Sequence, residues 1–210
     1  MKALVVGSGN SPSHKLLKER YAWADLVIAA DGGALYLAES NLIPHVLLGD
    51  FDSISGPVLE KMQQQSEVIS FPTHKDYTDM ELAINLAVER GAKELVLLGA
   101  CGSRLDHTMG NVFLLHSLLE KDIQACVEDD HNQIYLIKDA LTIKKQENRK
   151  VSLLPLSPRV EGLTTKGLAY PLCEDTLKIG INRGISNEFN DDFATISIKK
   201  GLLLVFLSED

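Results

Sequence analysis

The sequence predicts an α/β domain with a mostly parallel sheet covered by helices on both faces, followed by a small all-β domain of sandwich type. Two observations carry this. Over the first 125 or so residues, short continuously apolar runs alternate with longer stretches of helical period. That alternation builds parallel sheets whose two faces are both covered. After about residue 130 the helical period stops, and short strand-like runs punctuated by Gly, Pro, Asn and Asp replace it. The expected division is therefore residues 1–130 and 131–210.

Taken in order, residues 4–6, 26–30, 46–48, 68–70 and 95–98 read as buried strands, because they are apolar without alternation. The clearest helix begins at Thr78, a capping residue with Glu81 three positions on. Met80, Ala83, Ile84, Ala87 and Val88 then share one helical face, and Gly91 follows where a helix end favours a left-handed residue. A second helix is expected over 106–120. In the C-terminal part, strands are expected at 133–137, 140–144, 151–155, 160–164, 177–179, 194–198 and 202–207. The run Thr195-Ile196-Ser197-Ile198-Lys199 alternates as a half-buried strand does.

Composition narrows the function. The chain has 210 residues, 45% of them hydrophobic, and a formal net charge of −8. With no Lys/Arg run, it lacks the electrostatic grip that nucleic acid requires. No apolar stretch approaches the ~18 residues of a membrane span, and the N-terminal apolar run is too short for a signal peptide. Cys101, Cys126 and Cys173 are far apart and form no C-x-x-C, which argues against a disulfide framework or a zinc cluster. Free thiols suit a reducing compartment, so a cytoplasmic location is expected.

Polar, glycine-rich clusters follow each predicted parallel strand: 7–10, 31–34, 49–53, 74–79 and 99–107. Ligands of open α/β sheets bind outside the carboxyl ends of the strands, so these loops describe one site. In Gly7-Ser8-Gly9 the third fingerprint glycine is replaced by Pro12, which disfavours a dinucleotide site; the loop is either a tight turn or a close backbone approach to a ligand. Asp31-Gly32-Gly33 alone reads as a turn and helix cap. In Gly49-Asp50-Phe51-Asp52-Ser53 the two carboxylates would point the same way along an extended segment, and such a pair calls for a cation. Magnesium takes one or two carboxylates plus phosphate oxygens and water. Lys75 could hold a phosphate and Asp76 could join the metal site, while Asp79 could serve first-turn amides instead. Arg104 offers a forked phosphate donor. Asp106 could cap the helix, bind metal or contact substrate, and His107 could act chemically or lie on the surface. No Walker A, protein-kinase, H-E-x-x-H or G-x-S-x-G pattern is present. Cys101 with His107 would need an orienting group to act as a thiol nucleophile, and a small buried Cys is the plainer reading. The residues thus describe an α/β enzyme with a magnesium–phosphate site, built from Asp31, Asp50, Asp52, Asp76 and Asp106 with Lys75 and Arg104. The acceptor stays unnamed at this level.

The ordered set resembles the thiamine pyrophosphokinase family. Asp31-Gly32-Gly33, Gly49 to Ser53, Lys75 to Asp79 and Gly102-Ser103-Arg104-Leu105-Asp106-His107 look like its signature blocks, and Gly184-Ile185-Ser186-Asn187 looks like its late block. The resemblance covers essentially the whole chain. It implies transfer of a diphosphate from ATP to thiamine in a homodimer whose active sites lie where subunits meet. It implies Mg²⁺ on Asp50, Asp52 and Asp76, and these with Asp106 as the catalytic group. It implies ATP against Asp31, Gly32, Lys75, Asp79, Arg104 and His107, and thiamine against Ser186 and Asn187 of the β domain. Asp106 or Asp76 would take the hydroxyl proton. Some relatives carry a tryptophan near thiamine; the only one here is Trp23, far from that block, so Phe189 is expected to stand in. Other readings are a pyrophosphokinase acting on another alcohol such as a hydroxymethylpterin, a metal-dependent phosphohydrolase, and a non-catalytic nucleotide-binding module.

Overall fold

Each apolar run of the first half becomes a strand in the computed structural model, which describes residues 1–49, 56–71 and 76–209. The chain divides into two units, Met1–Asp130 and His131–Asp210. In the first, β1 (Lys2–Val6), β2 (Leu26–Ala30), β3 (Val46–Gly49), β4 (Glu67–Ser70), β5 (Glu94–Leu98) and β6 (Gln124–Glu128) lie parallel in the order β4-β3-β2-β1-β5-β6. The helices are α1 (His14–Trp23), α2 (Gly33–Glu39), α3 (Gly56–Gln63), α4 (Asp79–Glu89) and α5 (Leu105–Glu120).

Strand periodicity sorts the core into two layers. Leu4, Val6, Val27, Ala29, Leu47, Val96 and Leu98 pack with Leu17 of α1, Ala34 and Leu37 of α2 and Met62 of α3. α4 packs across β1, β2 and β3 and also meets α5, which lies on β6. It buries Met80, Ala83, Ile84 and Ala87 of the face read from the sequence and leaves Val88 half-buried. Thr78 Oγ1 accepts from Glu81 N at 3.2 Å, and Gly91 has φ 87° beyond the helix end. The edge strand β4 is the exception to double coverage, with Val68 37% exposed. β6 was not anticipated: its apolar core is only Ala125-Cys126-Val127, and its burial comes from pairing with β5. Arg20 of α1 forks onto Glu128 of β6 at 2.5 and 2.7 Å, compensating a carboxylate only 3% exposed.

The second unit has β7 (Asn132–Ile137), β8 (Ala140–Lys144), β9 (Lys150–Pro155), β10 (Arg159–Lys166), β11 (Asp175–Lys178), β12 (Phe193–Ser197) and β13 (Leu203–Ser208). β13 pairs antiparallel with β7 and β9, and a four-stranded antiparallel sheet runs β11-β10-β12-β8. Val151, Leu153 and Val205 of one sheet pack with Val160, Leu163 and Ile196 of the other. Two sheets face to face over one apolar layer make a sandwich. Among the described residues no helix is long and apolar enough to cross a membrane.

Candidate active site

β1 sits between β2 and β5, so the winding direction of the sheet reverses there. The ends of strands on either side of such a reversal leave a crevice. A cleft of about 570 Å³ opens at that point, lined by the loops after β1 and β5 and by the starts of α4 and α5.

Backbone builds its floor. Gly7 N donates to Leu98 O at 2.8 Å, Gly9 N to Gly99 O at 2.8 Å and Asn10 N to Cys101 O at 2.6 Å, so the two loops continue the β1–β5 pairing. Gly99 has φ 61°, and a Cβ there would stand 2.2 Å from Gly7 O. Only glycine fits both demands. Gly33 of the Asp31-Gly32-Gly33 block serves packing: its Cβ would fall 2.0 Å from Val6 O, so α2 can lie against β1 only without a side chain. Asp31 has φ 47°, with its N–H on Leu48 O at 2.8 Å. A left-handed aspartate at a cleft is a strained choice of the kind that collects at functional sites.

The far loop is tied to α5. Asn111 Nδ2 donates to Ala100 O at 2.7 Å, and Thr108 Oγ1 accepts from Gly102 N at 3.0 Å. Arg104 precedes α5 as its N-cap position without a side-chain cap bond, and Asp106 lies in the first turn, so Asp106 is not the capping residue. The two side chains pair instead, at 3.3 and 2.6 Å, both well exposed. The hydrogen bond from Arg104 lowers the pKa of Asp106 below the usual carboxylate range. Burial, then the charge of Asp129 and a hydrogen bond to it, push the Cys101 thiol up to about 11. A thiol that high is not a nucleophile near neutrality; Cys101 is half-buried and lines the cleft, not the fully buried residue expected.

Four residues expected in the site, Asp31, Asp79, Arg104 and His107, line this one cleft. Gly32 is buried, as the N-cap position of α2. Asp76 is exposed ahead of α4 and Asp106 at the start of α5, and neither is among the lining residues. Asp50, Asp52 and Lys75 lie outside the described residues. Among those described, no three His, Cys, Asp or Glu side chains form a group suited to a metal ion. Of the expected metal set only Asp76 is described.

In the sandwich, Ser186 is exposed with φ 61°, and its N–H donates to Ser152 Oγ at 3.0 Å. Asn187 turns inward. Its Oδ1 accepts from Tyr170 N at 3.0 Å and Glu188 N at 2.9 Å, and its Nδ2 donates to Tyr170 O at 2.7 Å. Phe189 is half-buried and packs against the sandwich core. Tyr170, by contrast, is 71% exposed and held by backbone at both its N–H and its C=O. The sequence reading passed over it. The available signal was an aromatic before Pro171, outside any alternating run, where no packing role explains it.

A doubly wound unit with a polar cleft at its switch point, followed in the chain by a β-sandwich, defines the class: an α/β protein with a ligand-sized cleft at the carboxyl ends of its strands. The chain belongs to the thiamine pyrophosphokinase family. Residues 17–127 match the profile "Thiamin pyrophosphokinase, catalytic domain" and residues 140–203 match "Thiamin pyrophosphokinase, vitamin B1 binding domain". It is 31% identical over 188 residues to the thiamine pyrophosphokinase of Bacillus subtilis, covering 88% of each chain. The crystal structure of a Bacillus subtilis thiamine pyrophosphokinase superposes with a TM-score of 0.90 at 29% identity, covering all of both chains. A Geobacillus thermodenitrificans thiamin pyrophosphokinase structure gives 0.86 at 30% identity, over 100% of this chain and 98% of that one.

Proposed function

We propose that this chain transfers the β,γ-diphosphate of ATP to the hydroxyl of thiamine, yielding thiamine diphosphate and AMP. The observation that carries the reading is the cleft at the β1/β5 switch point, where Asp31, Asp79, Arg104 and His107 converge. Family membership over both units favours thiamine as acceptor over a pterin alcohol, and transfer over simple nucleotide binding.

In the reaction the thiamine oxygen bonds to the β-phosphorus, the bond from that phosphorus to the α–β bridging oxygen breaks, and the electron pair leaves on AMP. Catalysis of this kind is mostly positioning and charge compensation. Arg104 grips phosphate, and Asp106 orients it through their paired hydrogen bonds. That pairing commits Asp106 to Arg104 and makes it a weak base for the hydroxyl proton. The all-carboxylate donor set Asp50, Asp52 and Asp76 suits a hard cation, and Asp31, which lines the cleft, is a further acid of the reading. Magnesium bound there would offset charge on the transferred group. Asp79 N-terminal in α4, with Gly32, Lys75 and His107, completes the ATP contacts of this reading.

For thiamine, Ser186 supplies a hydroxyl and Asn187 acts as a positioning residue, its carboxamide committed to Tyr170 and Glu188. Tyr170 stands beside Phe189 as an aromatic partner, because its exposed ring is free to cover a cationic heterocycle while Phe189 is half-buried against the sandwich core. The same reading makes the protein a cytoplasmic homodimer with its active sites at the subunit interface, which analytical ultracentrifugation with and without ligands would test. The deciding experiment incubates purified protein with ATP, Mg²⁺ and thiamine and follows products by chromatography. Equal, thiamine-dependent formation of AMP and thiamine diphosphate supports the reading; phosphate or pyrophosphate released without an acceptor overturns it.

A further inference from the structure

The Gly7–Asn10 loop has one contact that this mechanism does not use. Gly7, Gly9 and Asn10 spend their N–H groups on Leu98, Gly99 and Cys101 carbonyls. On the other side, the Tyr36 hydroxyl of α2 donates to Gly9 O at 2.5 Å and faces Ser8 O at 3.5 Å. Both backbone polar groups of Gly9 are therefore committed. Burial and Glu39 raise the Tyr36 pKa, so the hydroxyl keeps its proton and remains a donor. Tyr36 does not line the cleft; it holds the loop from behind. Ser8 is the exception in the loop. It is exposed and lines the cleft, and among the described residues no group of the protein accepts from its N–H. A backbone amide and a hydroxyl on one rigid residue, facing a cleft without a neighbouring carbonyl to satisfy them, suit an anionic oxygen.

We propose that Tyr36 is a positioning residue for the nucleotide: by fixing the Gly9 carbonyl it aims the Ser8 amide and hydroxyl at a phosphate oxygen of ATP. This rests on the reading of the cleft as the ATP site. A clamp that acts through one loop affects one substrate. It preorganises a contact made in the ground state, so it acts on binding more than on turnover.

The test is Tyr36→Phe in the full chain, which removes the hydroxyl and keeps the ring. KM for ATP should rise about 3- to 10-fold, the range for one lost hydrogen bond. Both kcat and KM for thiamine should stay within about twofold of the parent. Calorimetric affinity for ADP should fall by a similar factor. Ser8→Ala should weaken ADP binding too, and the double variant should lose less than the product of the two single losses, because both act on one contact. Unchanged KM for ATP and unchanged ADP affinity in Tyr36→Phe would overturn the proposal, as would equal loss toward both substrates. If the parent binds ADP more tightly than Tyr36→Phe yet forms no AMP from ATP and thiamine, the positioning role stands and the transfer reading fails.

Discussion

The loop after β1 and the corner around Asn187 both present a small exposed residue with constrained backbone, yet they are held by different means. Ser8 is held mostly by main chain: its neighbours extend the β1–β5 pairing, glycines at 7, 9 and 99 let the two strands' loops touch, and the Tyr36 hydroxyl adds the one side-chain support among the described residues. Tyr170 and Ser186 are held by side chains, Tyr170 by the Asn187 carboxamide and Ser186 by the Ser152 hydroxyl, beside the backbone pairing of Asn187 with Val151. Where the loops after β1 and β5 carry the pairing onward, backbone reaches backbone and the contact needs an absence of side chains. Around Asn187 the backbone pairs leave the Tyr170 N–H and C=O to the carboxamide.

The comparison predicts the largest loss where backbone contact is closest. Gly99→Ala meets both an unfavourable φ and an overlap with Gly7 O, and should cost about 3 kcal/mol or more in urea unfolding, with activity lost. A variant that melts like the parent would show the loops are free to separate. Asn187→Ala should cost ~2 kcal/mol, because it strips partners from three backbone groups. It should raise KM for thiamine while leaving KM for ATP unchanged; an ATP effect of equal size would break the proposed division of labour.

Smaller effects sharpen the picture. Tyr170→Ala should leave thermal stability unchanged, since the ring is 71% exposed, and raise KM for thiamine about tenfold. Tyr170→Phe should restore it, while Phe189→Leu should lower stability instead. The smallest effect belongs to Cys101. Its pKa of about 11 means thiolate appears only as pH rises toward that value. Alkylation of Cys101 should therefore be negligible at pH 8 and accelerate above pH 10, and Cys101→Ser should retain activity within about twofold.

The strands of the first unit were legible because a parallel strand covered on both faces must be apolar throughout, and the α4 face was legible from Met80, Ala83, Ile84 and Ala87. β6 was not, because three apolar residues carry no period and its partner β5 supplies the evidence. Asp31, Asp79, Arg104 and His107 were singled out because each follows a strand, and all four line one cleft, Asp31 and Arg104 although 73 positions separate them. Asn187 was read as a ligand contact. Its spacing shows nothing of where the carboxamide turns, and the structure turns it onto Tyr170 and Glu188.

By itself, then, the sequence determined the alternation of strands and helices, the change to β structure near residue 130 and the chemical character of the loops. These follow from local periodicity and residue type, which act over a few neighbours. Only the tertiary structure decided which loops meet at the β1/β5 reversal, that Arg104 takes Asp106 as its partner, and that Tyr170 is exposed while Phe189 is packed. The first and last of these depend on strand order and on packing between residues distant in the chain, and the Arg104–Asp106 pair, though local, depends on rotamers that residue type alone does not fix.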